Sequence, residues 1–86
     1  MITIYGTATC KWCKSAVELT KSRSLAFTYK DMSENPDLYD ELVGRMGGEK
    51  NITVPKIWWN DTYVGGYSQL AQMIEDTIGG YGDGKI

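Results

Sequence analysis

Cys10 and Cys13 are the chain's two cysteines, and the segment Cys10-Lys11-Trp12-Cys13 follows directly on the apolar run Ile2-Thr3-Ile4-Tyr5. Thiols at this spacing in the first turn of a helix can close a small disulfide ring. The unpaired N–H groups of such a turn, together with the helix dipole, also favour a thiolate. The pair therefore reads as a redox centre. The competing account is two packing cysteines, and their position just after a strand favours redox work. Farther along, Gly65-Gly66 permits a sharp turn and the close approach of a ligand, and a helix behind it offers free N–H groups to a carboxylate.

The elements that position these residues follow from the patterning. Residues 2 to 5 alternate and are β-branched, and Gly6 ends the run, which predicts a first strand. A helix then opens at the cysteines, with Ala16, Val17 and Thr20 at helical spacing and Lys14, Glu18 and Lys21 on the wet side. It should end near Arg23 or Ser24. Residues 26 to 30 alternate again, a second strand at the separation a parallel crossover requires. Asn35-Pro36 opens a second helix, with Asn35 as cap, Pro36 at the first position, Asp37 favourable to the dipole, and Leu38, Leu42 and Met46 as the buried stripe. Gly47-Gly48 marks its end.

Residues 54 to 59 and 62 to 64 predict a hairpin around an Asn60-Asp61 turn. Trp58 and Trp59 should point to opposite faces, one packed in the core and the other able to be exposed, with a role in the core and under a helix favoured for the pair. A last helix from about Ser68 places Leu70, Ala71, Ile74 and Ile78 on one face, and Gly79-Gly80 ends it. The order is mixed α/β: a four-stranded sheet, half parallel and half antiparallel, flanked by three helices. With 86 residues one domain is expected, over residues 1–80, with a frayed tail at 81–86.

Composition narrows the function. Nine Lys plus Arg against eleven Asp plus Glu leave a formal charge of −2, too small and mixed for a nucleic-acid partner. That balance also argues against reading Trp58, Trp59 and Lys56 as a base-stacking surface. No apolar stretch approaches the roughly 20 residues that span a bilayer, and no signal core is visible, so a cytoplasmic protein without membrane contact is expected. Without histidine or a third cysteine, a zinc site lacks ligands, and no metal is expected.

Three ordered signatures carry a resemblance: Cys10-Lys11-Trp12-Cys13, Thr53-Val54-Pro55 and Gly65-Gly66-Tyr67-Ser68. Together, over nearly the whole chain, they resemble the dithiol glutaredoxins, small members of the thioredoxin-like fold. The resemblance implies an enzyme that exchanges disulfides, with Cys10 as attacking thiol and Cys13 as resolving thiol. Cys10 would be the exposed sulfur, near the ammonium groups of Lys11 and Lys14, and Cys13 the one on the apolar face. It further implies a cis bond before Pro55, which leaves the N–H and C=O of Val54 free to pair with a bound peptide or glutathione. The γ-glutamyl carboxylate of glutathione would rest near Gly66, Tyr67 and Ser68, with the Ser68 hydroxyl also capping the helix.

The chain also departs from the family pattern. Lys11 and Trp12 replace a common Pro-Tyr, so Lys11 is expected to favour the Cys10 thiolate, and Trp12 could line the groove that holds the mixed disulfide. Thr7 stands where a basic residue is frequent, with Lys11 or Lys56 as replacements. Gln69 stands where an aspartate often pairs with the glutathione ammonium, and an amide weakens that contact. The implied binding set is thus Lys11, Trp12, Thr53, Val54, Pro55, Gly66, Tyr67, Ser68 and Gln69. Glutathione is the expected co-substrate, with no tightly bound cofactor. Disulfide-containing proteins, ribonucleotide reductase among them, are the expected partners of a monomer. Two alternatives stand beside this: a flavoprotein reductase of the thioredoxin-reductase type as donor, and an iron-sulfur module. The single-cysteine Cys-Gly-Phe-Ser pattern commonly tied to clusters is absent.

Overall fold

The computed structural model describes residues 1–49 and 52–76. Among them the elements run β1 (Ile2–Gly6), α1 (Lys11–Ser22), β2 (Phe27–Asp31), α2 (Pro36–Arg45), β3 (Lys56–Trp59), β4 (Thr62–Gly65) and α3 (Tyr67–Ile74). The sheet order is β2-β1-β3-β4. β1 runs parallel to β2, with Ile2 opposite Phe27 and Gly6 opposite Asp31. It runs antiparallel to β3, with Ile4 opposite Ile57, and β3 and β4 form the hairpin, with a register shift between Ile57 and Trp58. This is the expected thioredoxin-like layout of a four-stranded mixed sheet with three helices.

Alternation along β1 assigns the layers. Ile2 and Ile4 face one side, where they join Ala16 of α1, Ile57, Val64, and Leu70 and Ile74 of α3. Tyr5 faces the other side and packs with Trp58 and with Leu42 of α2. Helices α1 and α3 thus share one face of the sheet, and α2 covers the other. A helix of 8 residues such as α3 cannot hold itself in water. Leu70 and Ile74, both fully buried, anchor it, each worth about 1.5–3 kcal/mol of apolar burial.

The helix ends follow local chemistry. Asn35 Oδ1 accepts from the Asp37 N–H at 3.1 Å, and Pro36 takes the first helical position of α2. Beyond α2, the N–H of Gly47 bonds to Gly44 O at 3.2 Å and that of Gly48 to Val43 O at 2.8 Å. Helix α1 closes with the same double bond, Ser24 N–H to Lys21 O and Leu25 N–H to Thr20 O, both at 3.0 Å. There a serine holds the left-handed position, at φ 57°.

Several boundaries differ from expectation. β2 begins at Phe27 and not at 26. β3 begins at Lys56 and not at 54, since Pro55 has no N–H to offer the ladder. Neither tryptophan is exposed: Trp58 is buried, and Trp59 is half-buried against the α1/α3 core. In α2 only Leu42 is fully buried, with Leu38 and Met46 half-buried. Ile78, Gly79, Gly80 and the tail at 81–86 lie outside the described residues. Among the described residues no helix is long and apolar enough to cross a membrane.

Candidate active site

Cys10 ends the β1–α1 loop as the N-cap of α1, with extended backbone. Its Sγ accepts a hydrogen bond from the Cys13 N–H at 3.1 Å, so the sulfur occupies the acceptor position of a cap oxygen. Cys10 and Cys13 form a disulfide, their Cα atoms 5.2 Å apart. The sulfurs sit in unlike surroundings: Cys13 is 0% exposed, whereas Cys10 is half-buried and not fully exposed as expected. Two contacts from beyond the loop hold its backbone. Tyr29 Oη donates to Thr7 O at 2.6 Å, and the Ala8 N–H donates to Ser33 Oγ at 3.0 Å.

Beside the motif lies a cleft of about 510 Å³. Of the expected binding residues, Trp12, Thr53, Val54, Pro55, Gly66, Tyr67, Ser68 and Gln69 line it. Lys11 is exposed and does not line it, nor do the cysteines, so Trp12 alone carries the motif onto the cleft wall. Trp12, 57% exposed, packs its ring on Tyr67 at 5.3 Å between centroids, which ties the redox helix to the start of α3. The Val54–Pro55 bond is cis.

The turn before α3 needs its glycines. Gly65 has φ 119°, a conformation L side chains rarely adopt. Gly66 is the N-cap of α3, and Gln69 Oε1 accepts the Gly66 N–H at 3.0 Å. This corrects the expectation for Ser68: it lies inside the first turn, exposed, and the capping contact belongs to Gln69. The N–H groups of Tyr67, Ser68 and Gln69 have no intrahelical acceptor, the arrangement by which a helix start can receive an anion.

The sequence reading missed Tyr63 on the cleft wall. Tyr63 stands opposite Trp58 across the hairpin, rings 5.0 Å apart, and remains 45% exposed. An aromatic on the strand that runs into the glycine turn was the available signal. Lys56, absent from the expected binding set, lines the cleft, with Nζ donating to Thr53 Oγ1 at 3.1 Å.

On the α2 side the structure adds a polar cluster. Tyr5 Oη donates to Glu41 Oε2, and Lys30 Nζ donates to the same oxygen at 2.7 Å. The Arg45 guanidinium lies 4.8 Å from the Trp58 ring centroid. The Lys30 hydrogen bond, and then that of Tyr5, holds the Glu41 carboxyl below its ordinary range. Burial, and then the bond to Glu41, pushes the Tyr5 phenol up.

The glutaredoxin family model matches residues 2–64. A glutaredoxin of Pseudomonas aeruginosa is 35% identical over 69 residues, 80% of this chain and 79% of that protein. The chain belongs to the glutaredoxin family. It is a thiol–disulfide oxidoreductase, and Cys10-Lys11-Trp12-Cys13 is its redox motif. The fold matches the NrdH-redoxin of Escherichia coli at a TM-score of 0.68 and 22% identity, over 92% of this chain and 96% of the other. It also matches a buckwheat glutaredoxin–glutathione complex at a TM-score of 0.71 and 15% identity, over 87% and 68%. Among the described residues no group of three or more His, Cys, Asp or Glu could hold a metal ion.

Proposed function

We propose that the chain is a glutathione-dependent dithiol–disulfide oxidoreductase in which Cys10 is the exchanging sulfur and Cys13 resolves. The observation that carries the assignment is the difference in access: Cys10 is half-buried at the helix cap, and Cys13 is sealed. A Cys10 thiolate attacks a substrate disulfide, forming a mixed disulfide and expelling one substrate thiolate. Cys13, as thiolate, then attacks Cys10 Sγ, expels the second, and closes the ring, so two electrons pass to the substrate. Two glutathione thiols reopen the ring, the first bonding to Cys10 and the second removing it as glutathione disulfide. Support for glutathione comes from the cleft beside Trp12: the free amide end of α3 suits a carboxylate, and the backbone of Val54 at the cis bond suits the peptide. The related buckwheat protein is a glutathione complex, which agrees with this reading. Proteins with exposed disulfides, including ribonucleotide reductase, are the target class.

A second donor is favoured by one observation. Gln69 is turned onto the Gly66 N–H and offers no carboxylate to a glutathione ammonium. A flavoprotein reductase of the thioredoxin-reductase type fits that weaker grip, and the likeness to NrdH-redoxin extends over nearly both chains. Turnover with glutathione plus glutathione reductase, set against turnover with thioredoxin reductase, decides the donor. Cys13→Ser is expected to keep reducing glutathione mixed disulfides and to lose protein-disulfide reduction. Loss of both activities, or retention of both, overturns the assignment of roles.

A further inference from the structure

Cys13 Sγ is buried, and ring opening leaves charge on it. Whatever donor is used, the attacking thiolate forms a bond to Cys10 Sγ, and the electron pair of the broken S–S bond goes to Cys13. A thiolate with no access to water is costly unless a hydrogen-bond donor meets it. The end of β1 brings one close. An ideal Cβ built on Gly6 lies 2.5 Å from Cys13 Sγ and 2.5 Å from Tyr29 Oη, so those two atoms are no more than twice that distance apart. Only glycine leaves room for both.

A second cleft lies beside Tyr29. It has a volume of about 380 Å³ and is lined by Thr7, Ala8, Lys14, Val17, Glu18, Tyr29 and Asp31. In the oxidised protein Tyr29 Oη donates to Thr7 O at 2.6 Å.

We propose that on reduction the Tyr29 hydroxyl turns from Thr7 O to Cys13 Sγ and donates a hydrogen bond to the departing thiolate. Tyr29 keeps its proton throughout. Burial, and then the charge of Asp31, keeps the phenol neutral well above neutral pH, so it remains a donor. The charged groups facing it are Asp31 on its own strand and Lys14 and Glu18 across the cleft on α1. All three are unchanged in the test below.

The inference rests on Cys13 as the leaving thiol, which the turnover of Cys13→Ser tests separately. The deciding measurement is thiolate absorbance against pH for Cys13 in the Cys10→Ser protein, with and without Tyr29→Phe. The expected result is roughly tenfold less Cys13 thiolate at a given pH after Tyr29→Phe, as for one lost hydrogen bond to a charged group. The same comparison for Cys10, in the Cys13→Ser protein, controls for movement of the loop when Thr7 O loses its donor. A shift confined to Cys13 supports the proposal. An unchanged Cys13 midpoint, or an equal shift of both sulfurs, overturns it.

Discussion

Gly65→Ala should damage stability and ligand grip together, by an amount the local geometry sets. At φ 119° an alanine takes on the left-handed penalty, about 1–2 kcal/mol. Its Cβ would also lie 3.2–3.3 Å from the side-chain carbons of Gln69, which must move aside. If Gln69 moves, the Gly66 N–H loses its acceptor, worth about 0.5–1.5 kcal/mol. Alanine restricts the unfolded chain more than glycine does, which returns about 0.4–1 kcal/mol. The net loss is about 0.5–3 kcal/mol, and at about 4–8 °C per kcal/mol for a domain of this size the melt should fall by roughly 2–25 °C.

Thermal and urea unfolding should be run on the oxidised protein, so that the Cys10–Cys13 bond is the same in both variants. Adding Gln69→Ala separates the two causes. It removes the Cγ and Cδ contacts and the acceptor of the Gly66 N–H, but keeps the Cβ contact at 3.3 Å and the φ penalty, so part of the Gly65→Ala loss should vanish in the double variant. Because Gln69 and Gly66 line the cleft, KM for a glutathione mixed disulfide should rise. Ring opening by dithiothreitol, which needs no such grip, should keep its rate. A Gly65→Ala protein within about 0.5 kcal/mol of the parent would refute the account of this turn, since that is the scatter of ordinary surface substitutions.

Two further outcomes follow from the ends and the back of the sheet. Ser24→Gly should stabilise by about 0.5–1 kcal/mol, because glycine relieves the left-handed penalty at the α1 terminus but loses more chain entropy on folding; an unchanged or lowered melt counts against it. Glu41 has a lowered carboxyl pKa, so its contribution is full above the ordinary carboxylate range near ~4.3 and fades as pH drops through the lower folded value. With Glu41 40% exposed, Glu41→Gln should cost about 0.5–1 kcal/mol at pH 7 and flatten the stability loss between about pH 4 and 2, and a parallel acid limb in urea titrations would contradict this.

The parts of the fold that are legible in the sequence are those written within a few residues. The alternation of Ile2, Ile4 and Tyr5 marks a strand and its two faces, Asn35-Pro36 marks a helix start, and Asn60-Asp61 marks a hairpin. Signals of this kind, with the periodic apolar runs of α1, β2 and α3, place the seven elements in order, because each is written within a few residues of the element it marks. The candidate site was legible for a different reason. Its three signatures sit at the joints between elements, where glycine and proline answer to backbone geometry and cysteine to thiol chemistry, and so stand out from their neighbours.

What escaped depends on distance along the chain. Tyr5 meets Glu41 across 36 residues and Tyr29 meets Thr7 across 22, and no local pattern announces either contact. Ser68 was misread for a related reason: it is a good cap residue beside a glycine pair, but the tertiary anchors Leu70 and Ile74 set where α3 starts, and that start leaves Gln69 at the capping distance. Gly6 shows the limit most plainly. In sequence it ends a strand; in the fold a parallel neighbour brings Tyr29, and the helix that follows brings Cys13, to the space its Cβ would fill. A residue without a side chain thereby decides how near a phenol can come to a buried sulfur. Such a role follows from three elements meeting, so it is readable only once their packing is known.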